Sequence, residues 1–312
     1  MISVYPESGK PVWVDLRDPT PEEIAQACAD YGLDIPPRER LEEIEFSSRL
    51  QYEDGIFTLS VPVTPHLKNS DIDDVTSPLG FVLTKDLLVT IRFAHLHTFD
   101  AVRARVKRRR RSPEDIFLVI LEALIDYGAD RLEELRAEAL RISQRIFHED
   151  MQEKQRRNVS AVSRMLRATL VEIGDMGERL SHIRDTLLVL QRAVPFVNEH
   201  GEWVEAPVKA RLKMAGKDVQ SLNDYEVHLT DKLQFLLDAA LGFITTEQND
   251  LFKVMTIWST VGVPPVLLAG IWGMNFHFMP ELSWPLGYPL ALVTILVSIL
   301  LPLGWFKYRG WW

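Results

Sequence analysis

Two long uncharged runs lie close together near the C-terminal end of the chain. Residues 254–274 form 21 consecutive positions without a charge, and residues 288–306 form another 19. A helix needs roughly 20 apolar residues to cross a hydrocarbon core about 30 Å thick, so each run predicts a transmembrane helix. The alternative is a pair of buried helices in a soluble core. The end-to-end placement of two such runs in an otherwise charged chain argues against it.

The first hundred residues instead contain short apolar stretches rich in β-branched and aromatic residues, which predict strands. Lys85-Asp86 separates the last two stretches and predicts a hairpin between them. Together with two short helical segments, these stretches indicate a soluble α+β part. The predicted strands are 12–16, 55–61, 79–84 and 87–93, and the predicted short helices are 20–32 and 38–48.

Two long helices are predicted after this sheet. The first begins at Ser-Pro-Glu-Asp (112–115), which combines an N-cap serine, a proline at the first helical position and acids in the first turn. Its apolar stripe runs to about His148. The second helix covers about 155–194 and is expected to end near Pro195, and a turn is predicted at 198–207.

A third long helix shows no stop signal before the first uncharged run. One continuous helix is therefore predicted from about 208 to 273, and at 1.5 Å per residue it would be about 100 Å long. Because a single helix of that length needs lateral partners, it is expected to pack on the two preceding helices or on copies of itself. Its apolar stripe contains Leu222, Leu229, Leu233, Leu236, Ala240 and Phe243.

Charge is distributed unevenly along the chain. It has 35 basic and 44 acidic residues, but only four of them lie beyond residue 250. Lys253 precedes the first uncharged run, Lys307 and Arg309 follow the second, and the connection 275–287 has no basic residue. The positive-inside rule therefore places both termini in the cytosol and the connection outside. The first residues show no signal-peptide pattern, which agrees with a soluble part that stays in the cytosol.

A short motif closes the first uncharged run. Gly273-Met274-Asn275 stands at its end, followed by Phe-Met-Pro-Glu-Leu at 278–282 and Gly-Tyr-Pro at 287–289. These motifs, placed between two C-terminal spans, resemble the CorA family of magnesium and cobalt transport proteins.

The resemblance extends over nearly the whole chain. Residues 242–256 are similar to the family's passage from the stalk helix into the membrane, and 13–20 and 41–49 are similar to its N-terminal domain. Trp272 stands where the family usually has Tyr before Gly-Met-Asn, so a contact made by that Tyr hydroxyl would be lost.

The resemblance implies a funnel-shaped homopentamer in the inner membrane, with an α+β cytosolic domain, long helices and two C-terminal transmembrane helices. The first span would line a central pore, the second would form an outer ring, and Mg²⁺ bound between cytosolic domains would hold the channel shut. The expected divisions are a cytosolic α/β domain with two long helices (1–207), the cytosolic part of the stalk helix (208–250), the pore-lining span (251–274), the external loop (275–287), the second span (288–306) and a basic cytosolic tail (307–312).

The resemblance also implies which residues contact the ion. Gly273, Met274 and Asn275 would form the selectivity loop. A ring of Asn275 amide oxygens could accept hydrogen bonds from the water shell that Mg²⁺ releases reluctantly; a helix C-cap is the alternative role for this Asn. The implied pore-lining residues are Asn249, Phe252, Met255, Val263, Val266 and Gly270. Counting helical steps from Asn249 gives nearly the same face, which also includes Ser259 and has Met255 or Thr256 at one step. For each of these positions, ordinary helix packing is the alternative role.

Several acidic residues outside the spans are candidates for binding cations. Glu281 is the only acid of the external connection, where it would either concentrate cations near the mouth or be a solvated loop residue. His95 and His97 alternate at strand spacing and could chelate Zn²⁺, but two ligands are too few for a site. The candidates for a regulatory metal site are Asp71, Asp73, Asp74 and Asp100, with a solvated acidic loop as the alternative for the first three.

The expected function is a channel for Mg²⁺, and also for Co²⁺ and Ni²⁺, driven by the membrane potential. The alternatives are a proton-coupled Zn²⁺ carrier of the same superfamily and a membrane-tethered cytosolic sensor that conducts nothing. Mg²⁺ is expected as substrate and regulatory ligand, without a further cofactor. The expected partners are copies of the chain, the bilayer and divalent cations.

Other classes of function find little support in the sequence. It contains no GxxxxGK[ST] phosphate-binding loop, which agrees with passive flow, and no arrangement of a nucleophile with a base that would predict an enzyme. Residues 103–111 contain seven basic side chains and could bind nucleic acid or anionic lipid. They lack interleaved aromatic residues, so a solvated face is expected there and no nucleic-acid partner.

Overall fold

The computed structural model describes residues 1–6, 9–65, 76–107, 111–147, 159–274, 277, 279 and 284–311. The strands are β1 (Ile2–Tyr5), β2 (Trp13–Arg17), β3 (Leu50–Glu53), β4 (Ile56–Val63), β5 (Ser77–Leu83) and β6 (Leu88–Arg92). The helices are α1 (Pro21–Tyr31), α2 (Arg38–Leu41), α3 (Phe46–Arg49), α4 (His97–Lys107), α5 (Pro113–Phe147), α6 (Val159–His200), α7 (Ala206–Trp272) and α8 (Gly287–Tyr308).

The six strands form one sheet in the order β1-β2-β6-β5-β4-β3. All neighbours are antiparallel except β2 and β6, which are parallel, with Trp13 opposite Leu88 and Arg17 opposite Arg92. The four predicted strands are confirmed as β2, β4, β5 and β6. The edge strands β1 and β3 were not predicted, because each has only four residues and one pairing partner.

The predicted hairpin between β5 and β6 is also confirmed. Its turn is closed by Thr84 rather than by a glycine: the Thr84 Oγ1 atom accepts hydrogen bonds from the backbone N–H groups of Asp86 and Leu87, at 3.3 and 3.0 Å. A hydroxyl that bonds backbone groups two and three residues ahead replaces the usual turn residues.

Helices cover both faces of the central strands, which explains why every residue of β5 and β6 is buried. On one face, Ala27 of α1, Ile35 of the connection after α1 and Leu41 of α2 pack on the sheet. Their partners there are Val14, Leu16, Val82, Val89 and Ile91. On the other face, Phe117 of α5 meets Phe81 edge to face, with ring centroids 5.3 Å apart. The apolar runs of the sheet are thus continuous because neither face meets water.

The short helices show how local signals define boundaries. The Thr20 Oγ1 atom accepts the Glu23 N–H, while the Glu23 carboxylate accepts the Thr20 N–H, which forms a capping box at the start of α1. Gly32 ends the helix in the left-handed region with φ 64°. The single helix predicted over 38–48 was wrong, because two four-residue helices, α2 and α3, occupy this stretch with a break between them.

The second long helix does not end near Pro195, which corrects the prediction. It continues to His200 with Pro195 inside it. Pro195 is exposed, so the carbonyl of Gln191 that loses its donor can meet water, while Val194 and Val197 beside it are buried. Burial of this stripe outweighs the lost hydrogen bond. The turn before α7 is therefore shorter than the predicted 198–207 and spans only 201–205.

The third long helix, α7, is continuous from Ala206 to Trp272, as predicted within two residues at each end. Its predicted apolar stripe is confirmed by burial at Leu229, Leu233, Leu236 and Ala240. Leu222 and Phe243, at the two ends of the stripe, are half-buried.

The chain divides into two compact units. The first comprises Met1–His148 and Ala168–Leu237 and contains the sheet, and the second comprises Glu149–Arg167 and Asp238–Trp312. Among the residues that the structure describes, two helices are long and apolar enough to cross a membrane, namely α7, through a window of mean hydropathy 1.7, and α8, with a value of 2.2. The membrane boundaries predicted from the sequence at 251, 274, 288 and 306 remain predictions.

Candidate functional site

The C-terminal third of α7 carries six residues predicted to face a pore. All six are exposed in the chain, among them Phe252 at 64% and Val266 at 72%. A helix turns about 100° per residue, so Asn249, Phe252, Met255, Val263, Val266 and Gly270 fall within an arc of about 120°. They therefore share one face of α7.

A second set of residues on α7 has reduced exposure within the chain. These residues are half-buried, while the others between 251 and 273 are exposed. By the same helical geometry they occupy an arc of about 100° whose centre lies roughly opposite the first. The chain thus covers one face of this helix and leaves the predicted pore face uncovered. The half-buried set is Ile257, Val261, Pro264, Pro265, Leu268 and Trp272.

Hydroxyl groups of this segment are partly engaged by the helix itself. The Thr256 Oγ1 donates to the carbonyl oxygen of Phe252 at 2.7 Å. Met255 and Thr256, the two alternatives for one step of the predicted face, are both exposed. Lys253, the only charge between 251 and 272, donates to the Asp250 carboxylate at 2.7 Å, which keeps its ammonium group at the polar end of the apolar segment.

The motif at the end of α7 begins with a close backbone approach. The Gly273 N–H donates to the carbonyl of Ala269 at 2.9 Å, and the Met274 N–H donates to that of Ile271 at 3.3 Å. A Cβ atom placed on Gly273 would lie only 3.1 Å from the Ala269 oxygen. Glycine therefore lets the chain leave the helix without a side chain pressing on its last carbonyls. Asn275 and Glu281 lie outside the described residues.

One of the four acidic candidates for a metal site lies in the described part of the chain. Asp71, Asp73 and Asp74 lie outside it, whereas Asp100 is in the first turn of α4. The Asp100 Oδ2 atom lies 3.5 Å from Nε2 of His95 and 4.0 Å from Nδ1 of His97. From the sequence, the two histidines and Asp100 were candidates for two separate metal sites, and the structure brings all three together. The i, i+3 spacing of His97 and Asp100 was the available signal.

A buried ion-pair network that joins β2, β6 and α4 was missed from the sequence. Asp15 of β2 accepts hydrogen bonds from Arg92 of β6, Thr90 Oγ1 and Arg103 of α4. Arg103 thereby attaches α4, the helix that carries His97 and Asp100, to the sheet. The signal in the sequence was a charged residue inside each of two apolar strands, since such charges are seldom buried without a partner.

Comparisons with known proteins agree with the resemblance of the motifs. The family model of the CorA-like Mg²⁺ transporter protein matches residues 8–308. The chain is 30% identical over 312 residues to the magnesium transport protein CorA of Campylobacter jejuni, covering 96% of this chain and 91% of that protein. It is also 30% identical over 308 residues to the protein of the same name from Salmonella typhimurium, covering 96% and 92%.

Solved structures show the same fold. The complete structure of the CorA magnesium transporter from Methanocaldococcus jannaschii superposes with a TM-score of 0.72 at 18% identity, covering 96% of this chain and 91% of that one. The full-length CmaX protein gives a TM-score of 0.70 at 13% identity, covering 99% and 91%. Because the family match spans nearly the entire sequence, this chain belongs to the family of CorA-like Mg²⁺ transporter proteins.

Proposed function

We propose that the protein is a homopentameric channel of the inner membrane that carries Mg²⁺, and also Co²⁺ and Ni²⁺, down the membrane potential. Family membership and relatives named magnesium transport proteins support Mg²⁺ as the transported ion. A divalent ion gains about 4.6 kcal/mol over 100 mV, so the flow needs no nucleotide.

The observation that carries the proposal is the uncovered face of α7. Two candidate spans in one chain cannot enclose a pore, so a conducting path must be built from several copies. The face with Phe252, Met255 and Val263 lies opposite the face that the chain covers itself, and it carries the residues that the family resemblance assigns to the pore. Copies of α7 meeting around an axis would place this face toward the path of the ion.

Apolar side chains on this face suit a gate. A ring of Phe252, Met255 or Val263 side chains is too apolar to hold a continuous water column when it is narrow, so a small inward movement closes it by dewetting. Asn249 and Gly270 lie at the two ends of this face along the helix axis, where they provide a polar side chain and a position without a side chain.

The loop at the end of α7 suits selection of a hydrated ion. Mg²⁺ dehydrates reluctantly, and a neutral amide ring at Asn275 would bind its water shell while letting the ion leave. Gly273 supports this role, because it lets the chain leave the end of α7 without a side chain pressing on the last carbonyls of the helix.

Orientation and regulation complete the proposal. The basic residues Lys253, Lys307 and Arg309 flank the spans, so both termini lie in the cytosol and 275–287 faces outward. Cytosolic Mg²⁺ closes the channel. The two imidazoles beside Asp100 favour a metal other than Mg²⁺, which leaves Asp71, Asp73 and Asp74 as the candidate ligands of the regulatory ion.

Ion flux into liposomes holding the purified protein tests this function. We expect Mg²⁺ entry that follows an applied potential, is abolished in Asn275→Ala and is retained in Asn198→Ala, the same substitution in the soluble unit. Zn²⁺ entry that follows a proton gradient, without Mg²⁺ entry, would identify the protein as a carrier. If neither ion enters at low internal Mg²⁺, the chain does not conduct and the channel proposal fails.

A further inference from the structure

Two histidines and an aspartate converge at the connection between β6 and α4. The ligand atoms of His95, His97 and Asp100 all lie within 4.8 Å of one another, and all three side chains are exposed. The two imidazole rings meet edge to face with centroids 4.8 Å apart. Within the part of the chain that the structure describes, no other three His, Cys, Asp or Glu residues come together in this way.

The spacing of these atoms is close to that of a metal site. Metal–ligand distances of 2.0–2.2 Å in a tetrahedral zinc site put neighbouring ligand atoms about 3.3 Å apart. The 3.5 Å between His95 Nε2 and Asp100 Oδ2 is near this value. The 4.0 Å between His97 Nδ1 and Asp100 Oδ2, and the remaining separation of up to 4.8 Å, must shorten when a metal binds. Exposed side chains can shorten these distances by rotating about their χ angles.

The backbone that carries the three ligands is held in place by buried neighbours. Leu96 lies between the two histidines and is 6% exposed, and Phe99 precedes Asp100 and is fully buried. The Phe99 N–H donates to the Leu96 carbonyl at 3.0 Å, which fixes the first turn of α4. The alternation of buried and exposed residues therefore holds the ligands on one side of a rigid connection.

We propose that His95, His97 and Asp100 form a binding site for a divalent transition metal of the Zn²⁺ class. Two imidazole nitrogens and one carboxylate oxygen are ligands that Zn²⁺, Co²⁺ and Ni²⁺ accept, whereas Mg²⁺ favours oxygen ligands and keeps most of its waters. Three protein ligands leave at least one position for water. The bound ion joins the end of β6 to the start of α4.

The site does not depend on the channel function. All three ligands belong to the soluble unit that contains the sheet, and the Gly273-Met274-Asn275 motif belongs to the other unit. Loss of flux in Asn275→Ala therefore leaves Zn²⁺ binding at the cluster unchanged, and loss of the cluster leaves the loop intact. The two proposals can fail separately.

Zn²⁺ binding to the full-length protein in detergent tests the proposal. The protein is first stripped with a chelator and then titrated with Zn²⁺ in excess Mg²⁺, so that oxygen-only sites are occupied by Mg²⁺. We expect one Zn²⁺ per chain, with the affinity reduced at least about tenfold in His97→Gln and in Asp100→Asn, because each variant removes one of three ligands. His228→Gln, an exposed histidine on α7, is the matched control and keeps the affinity.

A second measurement separates a built site from adventitious binding by surface histidines. Zn²⁺ bound at the cluster raises the Tm of the wild type, because it binds the folded connection and not the unfolded chain. At a Zn²⁺ concentration near the wild-type Kd, the rise in Tm is much smaller in His97→Gln and Asp100→Asn. Equal Zn²⁺ affinities in the wild type and both cluster variants, or an equal loss in His228→Gln, would overturn the proposal.

Discussion

The Nη2 atom of Arg92 lies 2.8 Å from Oδ2 of Asp15, and the two side chains are only 1% and 2% exposed. Nε of the same guanidinium lies 3.1 Å from Oδ1, so both carboxylate oxygens are held between the parallel strands β2 and β6. Arg103 and Thr90 complete the surroundings of Asp15. The carboxylate thus pairs with a buried guanidinium and with a partly exposed one, Arg103, at the junction of the sheet with α4.

Removing the charge of Asp15 is expected to destabilise the sheet strongly. Asp15→Asn leaves the buried Arg92 without its counter-charge, and breaking such a pair costs about 3–5 kcal/mol. Urea unfolding of the full-length protein in detergent measures this loss. Asp34→Asn is the control, because Asp34 is 79% exposed and its pair with Arg40 contributes about 1 kcal/mol or less. Similar losses in the two variants would show that the buried pair has no special role.

The central strands and long helices could be predicted because each has a pattern that depends only on its own residues. The predicted strands 79–84 and 87–93 lie within two residues of β5 and β6. The edge strands β1 and β3 could not be found, because four residues with one partner leave little local signal. The end of α6 was misplaced because the burial of Val194 and Val197 depends on tertiary packing, whereas the effect of Pro195 is visible locally.

The candidate site was predictable only where one helix or one motif carries it. Counting helical steps places the six residues on one face of α7, whereas the role of this face in a pore and the role of the loop motif come from the family resemblance and stay predictions. The cluster of His95, His97 and Asp100 depends on how β6 leads into α4. The spacing of the two histidines along the sequence therefore did not identify Asp100 as a third ligand. Asp15 and Arg92 are 77 residues apart in the sequence, and their pairing depends on the parallel contact of β2 with β6, which no local pattern indicates.

A side chain at Gly201, in the turn between α6 and α7, is expected to destabilise the protein. A Cβ atom there would lie 2.7 Å from the Val197 oxygen and 2.7 Å from Cγ2 of Val204. Trp203 of the same turn packs on Phe57 of β4, with ring centroids 6.1 Å apart, so the turn cannot shift freely. We expect Gly201→Ala to lower the free energy of unfolding by about 1–3 kcal/mol.

Gly174→Ala is the matched control for this turn. Gly174 lies inside α6, is exposed, and has open space where the methyl group would go. Alanine is the better helix former, so this variant should gain about 0.5–1 kcal/mol. Urea unfolding curves of both variants decide the matter, and a loss of stability in Gly174→Ala equal to that in Gly201→Ala would contradict the steric explanation.

The capping box of α1 should make stability depend on pH. The backbone N–H of Thr20 and then the amino group of Met1 donate to the Glu23 carboxylate, which lowers the pKa of Glu23 below its usual 4.5. A group with a lowered pKa in the folded state contributes stability above its unfolded pKa and loses that contribution as the pH falls through the folded pKa. Glu23→Gln keeps the capping geometry and removes the charge.

The difference in Tm between wild type and Glu23→Gln measures this contribution. It should be largest at neutral pH and should shrink as the pH is lowered below 4.5, because the wild-type carboxylate is then protonated. A difference in Tm that stays constant from neutral to acidic pH would show that Gln changes packing and that the charge of Glu23 contributes nothing.

The two faces of α7 should respond differently to the same substitution. Val263 lies on the uncovered face and Val261 on the half-buried face, about 160° away around the helix. In the proposed channel, Val263→Ser places a ring of hydroxyl groups in an apolar constriction and makes it easier to wet. Each 1.36 kcal/mol removed from a barrier is about tenfold in rate, so we expect Mg²⁺ entry under closing conditions to rise roughly three- to tenfold.

Val261→Ser makes the same chemical change on the opposite side of the helix, so it should leave Mg²⁺ entry at the wild-type level. Both variants are reconstituted into liposomes loaded with Mg²⁺ to favour the closed state, and entry is followed with an applied potential. A rise in Val261→Ser without a rise in Val263→Ser would place the ion path on the other face of α7. Equal rises would mean that the hydroxyl acts on helix packing, since a packing effect does not distinguish the pore face from the covered one.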